Sequence, residues 1–451
     1  MKALLVRPLL LNMLTVTGAI DCEPLELEYL AVACRQAGVE PVLYDGLVEE
    51  RRFSTVLRQE QPDLVAITGY ITQENRMHLY ASLAKRECPG CTVVLGGVHA
   101  QLNYSRLCFP PVDFITRSES MEDFRRFLLA LREGDKDVLA DINGLCRRGP
   151  DGAFLVNPYT PCDIAALPLP DRSFRDAHAD GYRYLDFQRV STLKTAVSCP
   201  YGCTFCYGTH LHGGQYAARP LDAVLEELAG LQADTVFIVD SDFLVEPERV
   251  RAFLRGLTQR HIQKHYICYA RADFIVRYPD LIQALCRAGF AYFLVGLESV
   301  SDERLDAYHK ATSVSLNQQC VRLLQENGAE CVALFMADPA FDRQDFRRLY
   351  QWVKAQRLRY VTVQIYTPIP PTPLFQEQQG RLTTRQPEKW DLAHLVVPPE
   401  KLSRFRFLLC HRWLVARLYL LGWRRGAYRF VTPRYVARQL VRCWKRRRTA
   451  S

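Results

Sequence analysis

The chain has 451 residues, too many for one ordinary hydrophobic core, so two or three domains are expected. Its 48% apolar and 24% charged residues are typical of a globular protein and exclude a disordered or fibrous chain. The net charge of +9 comes from one end, because residues 401–451 hold 15 Lys and Arg and no acid, whereas the other 400 residues hold 43 basic and 49 acidic groups.

The first residues bear on the compartment of the protein. Met1-Lys-Ala-Leu-Leu-Val-Arg7 runs directly into a strand-like segment and shows neither the apolar region nor the cleavage site of an export signal. We therefore expect a cytoplasmic protein, and we expect its 16 cysteines to be reduced thiols.

Residues 1–140 alternate between strand and helix patterns. The predicted strands are Lys2–Arg7, Val42–Tyr44, Asp63–Thr68, Cys91–Gly97 and Phe114–Thr116, with helices over 25–38 and 74–87. This alternation favours an α/β fold with an N-terminal doubly wound parallel sheet, in which ligands bind at the carboxyl ends of the strands. The loops at those ends are Thr68–Thr72, Gly96–Ala100 and Arg117–Ser120.

Residues 141–190 are predicted to be a linker. Gly149-Pro-Asp-Gly152 has the composition of a hairpin turn, and Leu167-Pro-Leu-Pro-Asp171 reads as an extended segment.

Residues 191–375 show a regular strand–helix repeat. The predicted strands are Thr195–Ser198, Thr235–Val239, Tyr266–Tyr269, Ala291–Val295, Cys331–Met336 and Tyr360–Ile365. Six βα units are enough for an open partial (β/α)6 barrel with its site at the strand carboxyl ends. Polar residues recur at those ends, namely Asp240, Asp242, Arg271 and Glu298. Ligand contact is the functional interpretation, and capping of the following helix is the alternative for Asp242.

Three cysteines with close spacing follow the first predicted strand of this repeat. Cys199, Cys203 and Cys206 form a CxxxCxxC array. Thiolates are soft ligands and favour iron–sulfur clusters or zinc. A structural zinc site needs a fourth protein ligand, for which His210 or His212 is available. A 4Fe–4S cluster held by three cysteines instead leaves one iron open to bind a substrate or cofactor.

Residues 376–451 are predicted to be a helical basic C-terminal region. The segment 405–423 is apolar on one face and carries Arg406, Arg412 and Arg417, which argue against a membrane span. It can lie on an anionic membrane surface or cover the barrel mouth. Lys445-Arg-Arg-Arg448 has no accompanying nucleic-acid-binding module, so we expect no nucleic acid partner.

The cysteine array, with Phe205 before its last cysteine, resembles the cluster loop of the radical S-adenosylmethionine (SAM) enzymes, in which the open iron is chelated by the amino and carboxylate groups of SAM. The resemblance implies that Cys199, Cys203 and Cys206 ligate a 4Fe–4S cluster. It also implies that Phe205 packs near the adenine of SAM.

The strand-end residues of the repeat also match positions of this family. The resemblance implies that Asp240 and Asp242 contact the methionine portion of SAM, and that Arg271 and Glu298 lie near its ribose and carboxylate. Lys310 fits the family pattern without an evident role. The chain departs from the pattern at Ala337-Asp-Pro-Ala-Phe341, where family members commonly have a Gly-x-Pro-Gly-Glu-like turn.

The first 140 residues resemble the cobalamin-binding domain found in front of some radical SAM domains. The resemblance implies cobalamin contacts from Thr68, Gly69, Tyr70, Thr72, Gly96, Gly97, His99, Ala100 and Glu119. The chain lacks the DxHxxG motif that supplies an axial histidine in many cobalamin proteins, because Asp45-Gly46 is not followed by a histidine at the required position.

The resemblance implies a cobalamin-dependent radical SAM enzyme with a 4Fe–4S cluster, SAM and cobalamin as cofactors. Methylation of an unactivated carbon, by a 5′-deoxyadenosyl radical and methylcobalamin, is the leading hypothesis. The expected partners are a small-molecule substrate, of lipid-like character if the basic tail contacts a membrane, and an external electron donor such as flavodoxin or ferredoxin. The alternatives are a cobalamin-dependent radical cyclase or oxidase, and a non-catalytic iron–sulfur or zinc regulatory protein.

Overall fold

The computed structural model describes residues 1–9, 19–439 and 441. Its strands are β1 Lys2–Arg7, β2 Ile20–Asp21, β3 Glu40–Asp45, β4 Leu64–Thr68, β5 Thr92–Gly96, β6 Phe114–Thr116, β7 Leu145–Arg148, β8 Phe154–Val156, β9 Arg183–Tyr184, β10 Phe187–Gln188, β11 Ser191–Leu193, β12 Ala196–Val197, β13 Ala217–Ala218, β14 Thr235–Ile238, β15 His265–Ala270, β16 Phe290–Glu298, β17 Glu330–Ala337 and β18 Tyr360–Ile365. Its α-helices are Leu25–Gln36, Phe53–Glu60, Glu74–Glu87, Gly97–Asn103, Met121–Glu133, Lys136–Asp141, Ser173–Ala177, Leu221–Gly230, Pro247–Gln259, Ala272–Arg277, Pro279–Arg287, Asp302–Ala307, Val314–Glu326, Arg343–Ala355, Pro373–Gln378, Arg404–Arg424 and 433–439.

These residues form two compact units, and neither is one continuous stretch of chain. The first contains the described residues of Met1–Tyr184, the segment His210–Gln215 and the described residues from Thr432 onward. The second contains Leu185–Thr209 and Tyr216–Val431.

The first unit is built on a seven-stranded sheet in the order β3-β1-β4-β5-β6-β7-β8. Its first five strands are parallel, and β7 and β8 are added antiparallel. Because side chains alternate along a strand, Leu4 and Val6 of β1 face one core with the helices on either side of β4, whereas Ala3 and Leu5 face a second core with the helices before β3 and after β6. Helices on both faces confirm the predicted doubly wound sheet.

The hairpin predicted in the linker is present. The N–H of Gly149 donates to the carbonyl of Ala153 at 2.7 Å, and the N–H of Gly152 donates to the carbonyl of Gly149 at 3.0 Å. Its strands β7 and β8 extend the first sheet, so this part of the segment predicted as linker lies inside the first unit. The sequence prediction missed these strands because they are short and β8 is largely exposed.

Several helices of the first unit were also missed, and two of them, Met121–Glu133 and Phe53–Glu60, contribute to its cores. Met121–Glu133 begins where the Ser120 hydroxyl accepts from the N–H of Asp123 and ends before Gly134 in the left-handed conformation. Phe53–Glu60 is shorter and has no side-chain cap, so it carries a weaker signal.

The second unit contains a six-stranded sheet in the order β11-β14-β15-β16-β17-β18. All neighbouring strands are parallel and helices connect them, which confirms the partial (β/α)6 barrel. The buried faces of the strands and helices form one continuous hydrophobic core.

The first strand of this sheet differs from the prediction. Thr195–Ser198 was predicted, but the sheet strand is β11, which ends at Leu193. The carboxylate of Asp240 accepts the N–H groups of Thr195 and Ala196 at 2.7 and 3.0 Å, which removes both donors from the sheet ladder. The chain then forms β12, which pairs with β13 in a separate two-stranded ribbon, and the cysteine loop leaves from its end.

The predicted C-terminal helix is Arg404–Arg424. It packs on β18, the edge strand of the barrel sheet, where His411 Nε2 lies 2.9 Å from the Val363 carbonyl oxygen. The suggestion that it covers the barrel mouth is wrong for the described residues, because the helix lies along the sheet edge. Among these residues, no helix combines the length and apolarity of a membrane span. The basic run Lys445–Arg448 lies outside the described residues.

Candidate functional site

Cys199, Cys203 and Cys206 lie on the loop that leaves β12 of the second unit. Cys203 is buried and the other two are half-buried. The loop is held by the N–H of Cys206, which donates to the Cys203 carbonyl at 3.2 Å, and by the N–H of Thr204, which donates to the Tyr308 carbonyl at 3.3 Å. Burial raises the pKa of the Cys199 thiol to about 11. Thiolates at this loop therefore need nearby positive charge.

The spacing of these thiols bears on the kind of metal site. A mononuclear ion needs all of its ligand atoms within a few ångströms of one another. Among the described residues, the group of three ligating side chains that meets a 4.8 Å limit is Glu119, Cys162 and His212, and the three array cysteines are not in it. A four-iron cube carries its thiolates on different corners and holds them further apart than one ion does. Three thiols are one ligand fewer than a structural zinc site needs, so this donor set fits a cluster with one open iron better than a single zinc ion.

Arg271 brings positive charge to the cluster loop. It stands at the end of β15, where its Nη1 lies 3.7 Å from Cys203 Sγ. Its guanidinium is fixed by Asp273 at 2.9 and 3.0 Å and by the Lys310 carbonyl at 2.7 Å, and it stacks over the Tyr201 ring at 3.9 Å. Arg271 is therefore a buried cation with a fixed orientation toward the cysteines.

Asp240 and Asp242 follow β14, but they have different surroundings. Both oxygens of Asp240 accept hydrogen bonds from Thr195 and Ala196, so Asp240 positions the chain before the cysteine loop. Asp242 accepts from the N–H of Leu244 through Oδ1, whereas its buried Oδ2 has no hydrogen-bond partner. Burial raises the pKa of Asp242 to about 7. The alternative that Asp242 caps the next helix is wrong, because Glu246 occupies that position.

Glu298 and Lys310 form a half-buried ion pair at the end of β16. Lys310 Nζ donates to Glu298 Oε1 at 3.0 Å, and Glu298 takes the left-handed backbone conformation, with φ of +57°. Burial lowers the pKa of Lys310, but the negative charges of Glu298 and Cys203 outweigh this effect and raise it. Phe205 packs edge-on against Tyr308 with ring centroids 5.6 Å apart, and Lys310 Nζ lies 5.8 Å from the Phe205 ring.

In the second unit, the structure therefore brings Phe205, Arg271 and Glu298 together with the cysteine loop. Arg271 contacts Cys203, Lys310 joins Arg271 to Glu298, and Phe205 lies against Lys310. The buried free oxygen of Asp242 is the orphaned acceptor that a cationic ligand such as SAM would satisfy.

At the cobalamin side, Thr68, Gly69 and Gly97 meet at the ends of β4 and β5. A Cβ on Gly97, whose φ is +84°, would lie 2.2 Å from Thr68 Oγ1 and 3.3 Å from the Gly69 nitrogen. A Cβ on Gly69 would lie 2.6 Å from Met77 Sδ. These glycines therefore allow the chain to pack closely against itself at the carboxyl ends of β4 and β5. Ligands of parallel sheets bind at such strand ends.

The other residues predicted to contact cobalamin at these strand ends differ in secondary structure and in exposure. Gly97 begins the helix Gly97–Asn103, so Gly97, His99 and Ala100 lie in a helix and the prediction of a loop there is wrong. Ala100 is fully buried in the hydrophobic core. Tyr70 is exposed and Thr72 half-buried in a short 3-10 turn, and Gly96 is the residue before the helix.

His99 is buried, and one of its two ring nitrogens is used in a hydrogen bond within the first unit. Its Nε2 lies 2.8 Å from Glu74 Oε2, while its buried Nδ1 has no hydrogen-bond partner. The carboxylate of Asp45, in the incomplete DxHxxG motif, already has partners within the first unit. It accepts hydrogen bonds from Arg7 Nε at 2.9 Å and from the Tyr182 hydroxyl at 2.9 Å. Leu47 stands where the motif would have its histidine, so these residues supply no axial histidine.

Glu119 is a hydrogen-bond hub within the first unit. It accepts from Gln101 Nε2 at 2.7 Å and from the Tyr159 hydroxyl at 3.0 Å, and it shares a hydrogen bond with His212 Nδ1. Cys162 lies beside it, and burial raises the pKa of that thiol to about 12. His212, considered above as a zinc ligand, therefore bonds to a carboxylate of the first unit.

Sequence reasoning missed several of these partners. Tyr201, Asp273 and Tyr159 received no role, and Lys310 received none that was defined. The only local signal is the Arg-Ala-Asp sequence at 271–273, which places a carboxylate two residues after the arginine. The other contacts join residues more than ten positions apart.

Comparison with known proteins identifies two domains in the chain. The sequence model of the Radical SAM superfamily matches residues 193–353, and that of the B12 binding domain matches residues 12–128. Together the two matches cover more than half of the chain.

Two curated relatives match most of the chain. The hopanoid C-3 methylase of Methylococcus capsulatus is 25% identical over 382 residues, which are 83% of this chain and 72% of the relative. The anaerobic magnesium-protoporphyrin IX monomethyl ester cyclase of Rubrivivax gelatinosus is 23% identical over 400 residues, which are 85% of this chain and 71% of the relative.

A solved structure has the same fold. The cobalamin-dependent S-adenosylmethionine radical enzyme OxsB, with aqua-cobalamin and S-adenosylmethionine bound, aligns with a TM-score of 0.75 at 15% identity and covers 100% of this chain and 71% of its own. The two family matches, the array of three cysteines and this fold agree. The chain belongs to the radical SAM enzymes that carry a B12-binding domain, and its cofactors are a 4Fe–4S cluster, S-adenosylmethionine and cobalamin.

Proposed function

We propose that the chain is a cobalamin-dependent methyltransferase that methylates an unactivated carbon of a small, lipid-like molecule. The observation that carries the proposal is the half-buried loop of three cysteines without a fourth thiol, with Arg271 at Cys203. When bound, the cluster would supply an electron that cleaves one SAM to methionine and the 5′-deoxyadenosyl radical, and cobalamin would carry a methyl group taken from a second SAM, which leaves S-adenosylhomocysteine. Methyl transfer is supported by the hopanoid methylase among the relatives.

We assign the regions of the chain as follows. Residues 1–140 hold cobalamin, and residues 141–190, whose strands β7 and β8 extend the first sheet, lead from this domain to the next. Residues 191–375 hold the cluster and SAM, and residues 376–451 form the helical basic region. Thr68, Gly69, Gly96 and Gly97 form the floor of the cobalamin site. Tyr70, Thr72, His99, Ala100 and Glu119 are the further contacts expected there, of which Ala100 is the least accessible.

The barrel residues have separate tasks in this proposal. Cys199, Cys203 and Cys206 hold the cluster, and Arg271 stabilises thiolate charge at Cys203. Asp242 offers its free oxygen to a positively charged part of SAM. Asp240 is a positioning residue that fixes the chain before the loop.

The remaining barrel residues complete the SAM site. Glu298, oriented by Lys310, accepts hydroxyl groups of the ribose, and Phe205 packs against the adenine. The electron comes from an external donor of the flavodoxin or ferredoxin type, and we place the enzyme in the cytoplasm.

A second candidate function is radical cyclisation or oxidation without methyl transfer. It is favoured by the similarity to the magnesium-protoporphyrin ester cyclase, which spans 85% of the chain. Both reactions form 5′-deoxyadenosine, but only methyl transfer also forms S-adenosylhomocysteine.

The test uses anaerobic protein reconstituted with iron, sulfide and hydroxocobalamin. The protein is incubated with methyl-deuterated SAM, a low-potential reductant and either a hopanoid lipid fraction or magnesium-protoporphyrin monomethyl ester. We expect 5′-deoxyadenosine, S-adenosylhomocysteine and a deuterated methyl group in the lipid. The matched control is the triple Cys199/Cys203/Cys206→Ala variant, which should lose about four irons but keep its corrinoid.

Other outcomes separate the alternatives. 5′-Deoxyadenosine without S-adenosylhomocysteine would contradict methyl transfer and support the cyclase. Neither product, from protein that holds the full iron content, would indicate a regulatory protein.

A further inference from the structure

The helix Arg404–Arg424 has two different faces. One face is buried against the rest of the second unit, and its residues are Phe407, His411, Leu414, Leu418 and Gly422. Phe407 meets the Phe346 ring at 5.3 Å, and a Cβ on Gly422 would lie only 2.4 Å from the Arg359 carbonyl oxygen. The helix is therefore fixed to the barrel by close contacts.

The opposite face exposes large apolar side chains. Its residues are Phe405, Leu409, Trp413, Tyr419, Leu420 and Trp423. At 100° per residue, these six positions fall within about one third of the helix circumference. Phe405 is 75% exposed, Trp413 65% and Trp423 61%. Within the described part of the chain, these three are the most exposed large hydrophobic side chains, so this helix face is an unusual apolar surface.

Arginines surround this apolar face. Arg412 lies within the arc and Arg406 and Arg424 lie on its border, and all three are exposed. Arg417, on the same border, stacks over Tyr350 at 3.7 Å. Residues 401–451 contain 15 Lys and Arg and no acidic residue, so no carboxylate of this segment neutralises them.

This combination selects among possible occupants of the face. A second copy would bring the same arginines against each other across a twofold axis, with no acid from this segment to pair with them. An anionic lipid surface would neutralise the arginines while accepting the aromatic side chains at the level of its headgroups. The helix does not span a membrane, so contact would be along its length.

We propose that the exposed face of Arg404–Arg424 lies in the interface of an anionic lipid bilayer and holds the enzyme there as a peripheral membrane protein. Phe405, Trp413 and Trp423 enter the boundary between headgroups and acyl chains. Arg406, Arg412 and Arg424 pair with lipid phosphates. The proposal does not depend on methyl transfer, and its test does not use activity.

The test is flotation of the full-length, cofactor-loaded protein with lipid vesicles. We compare vesicles of phosphatidylcholine alone with vesicles of equal parts phosphatidylcholine and phosphatidylglycerol. We expect the protein to float with the anionic vesicles, to stay at the bottom with the neutral ones, and to be released by high salt.

Two variants separate the apolar and the charged contributions. The double variant Trp413→Ser/Trp423→Ser should bind anionic vesicles at least about tenfold more weakly. Arg406→Gln/Arg412→Gln should bind more weakly and lose part of its salt dependence. The matched control is Leu79→Ser/Leu169→Ser, which removes two other exposed apolar side chains and should bind as the native chain does. Equal iron and corrinoid content shows that all variants are folded.

The opposite results would overturn the proposal. These are no flotation of the native chain with anionic vesicles, or equal flotation of the tryptophan variant and the native chain. A stable dimer in the absence of lipid that the tryptophan variant abolishes, without any vesicle binding, would assign the face to a second copy instead.

Discussion

Changing Asp242 to Asn should weaken SAM binding in a way that depends on pH. Because burial raises the pKa of Asp242 to about 7, the side chain is about one tenth ionised at about pH 6 and about nine tenths ionised at about pH 8. If SAM pairs only with the ionised carboxylate, this rise in ionisation by itself increases the affinity of the native chain for SAM about tenfold between these two pH values. Loss of a hydrogen bond to a charged group costs about 1.5–3 kcal/mol, or roughly 10- to 150-fold in affinity at the alkaline end.

The assay is SAM binding to anaerobic, cluster-loaded protein by equilibrium dialysis across this pH range. The amino group of SAM titrates near pH 8 and changes the affinity of both proteins, so the ratio of their dissociation constants isolates Asp242. We expect this ratio to rise about tenfold from about pH 6 to about pH 8. A ratio that stays constant would refute the assignment of Asp242 to SAM.

The same buried carboxylate should have the opposite effect on the stability of the protein without cofactors. The pKa of Asp242 is raised on folding, so its stabilising contribution is complete below its ordinary pKa and is lost as the pH rises through about 7. As the pH rises from about 5.5 to about 8.5, the free energy of unfolding of Asp242→Asn, measured in urea, should therefore increase by about 2 kcal/mol relative to that of the native chain. Asp240→Asn is the matched control, because its oxygens hold Thr195 and Ala196, and it should destabilise the protein instead.

Three further substitutions test other parts of the site. Gly97→Ala places a methyl group against Thr68 Oγ1 at a positive φ, so it should cost roughly 1–3 kcal/mol of stability and reduce bound corrinoid, measured by absorbance. Lys310→Met leaves Glu298 without its cation and should cost roughly 3 kcal/mol in urea unfolding, and adding Glu298→Gln should recover part of this loss. Burial raises the pKa of Glu74, but hydrogen bonds to its histidine and arginine partners lower it by more, so the net shift is downward. The stability that ionised Glu74 contributes is therefore lost as the pH falls through this lowered pKa. Glu74→Gln should accordingly reduce the loss of stability at acid pH, measured by urea unfolding.

Local sequence patterns predicted those parts of the fold that depend on them. The strand Phe114–Thr116 and the helix Glu74–Glu87 have the predicted bounds, because apolar periodicity and turn residues mark both ends of each. The start of the barrel was misplaced because a distant side chain decides it. Asp240 takes the N–H groups that would have continued the strand, and no local pattern shows this.

The candidate site shows the same division. The array of Cys199, Cys203 and Cys206 is readable from spacing alone, and the residue types at the strand ends suggested where ligands bind. The sequence could not show which of the two carboxylates after β14 keeps an oxygen without a hydrogen-bond partner. Asp240 and Asp242 differ in this respect only through residues that are distant in the sequence. The ion pair of Lys310 with Glu298 also depends on the fold, because twelve residues and two elements separate them.

The interleaved path of the chain affects how such enzymes can be recombined. Four residues after Cys206 the chain enters the first unit as His210–Gln215, and it returns to the second at Tyr216. A single cut after Tyr184 would therefore give an incomplete first module, in which Glu119 has lost His212. Exchange of cobalamin modules between homologues would have to carry this short segment and the described residues from Thr432 onward along with residues 1–184. The loop after the cluster and the domain before it are therefore expected to be inherited as one block.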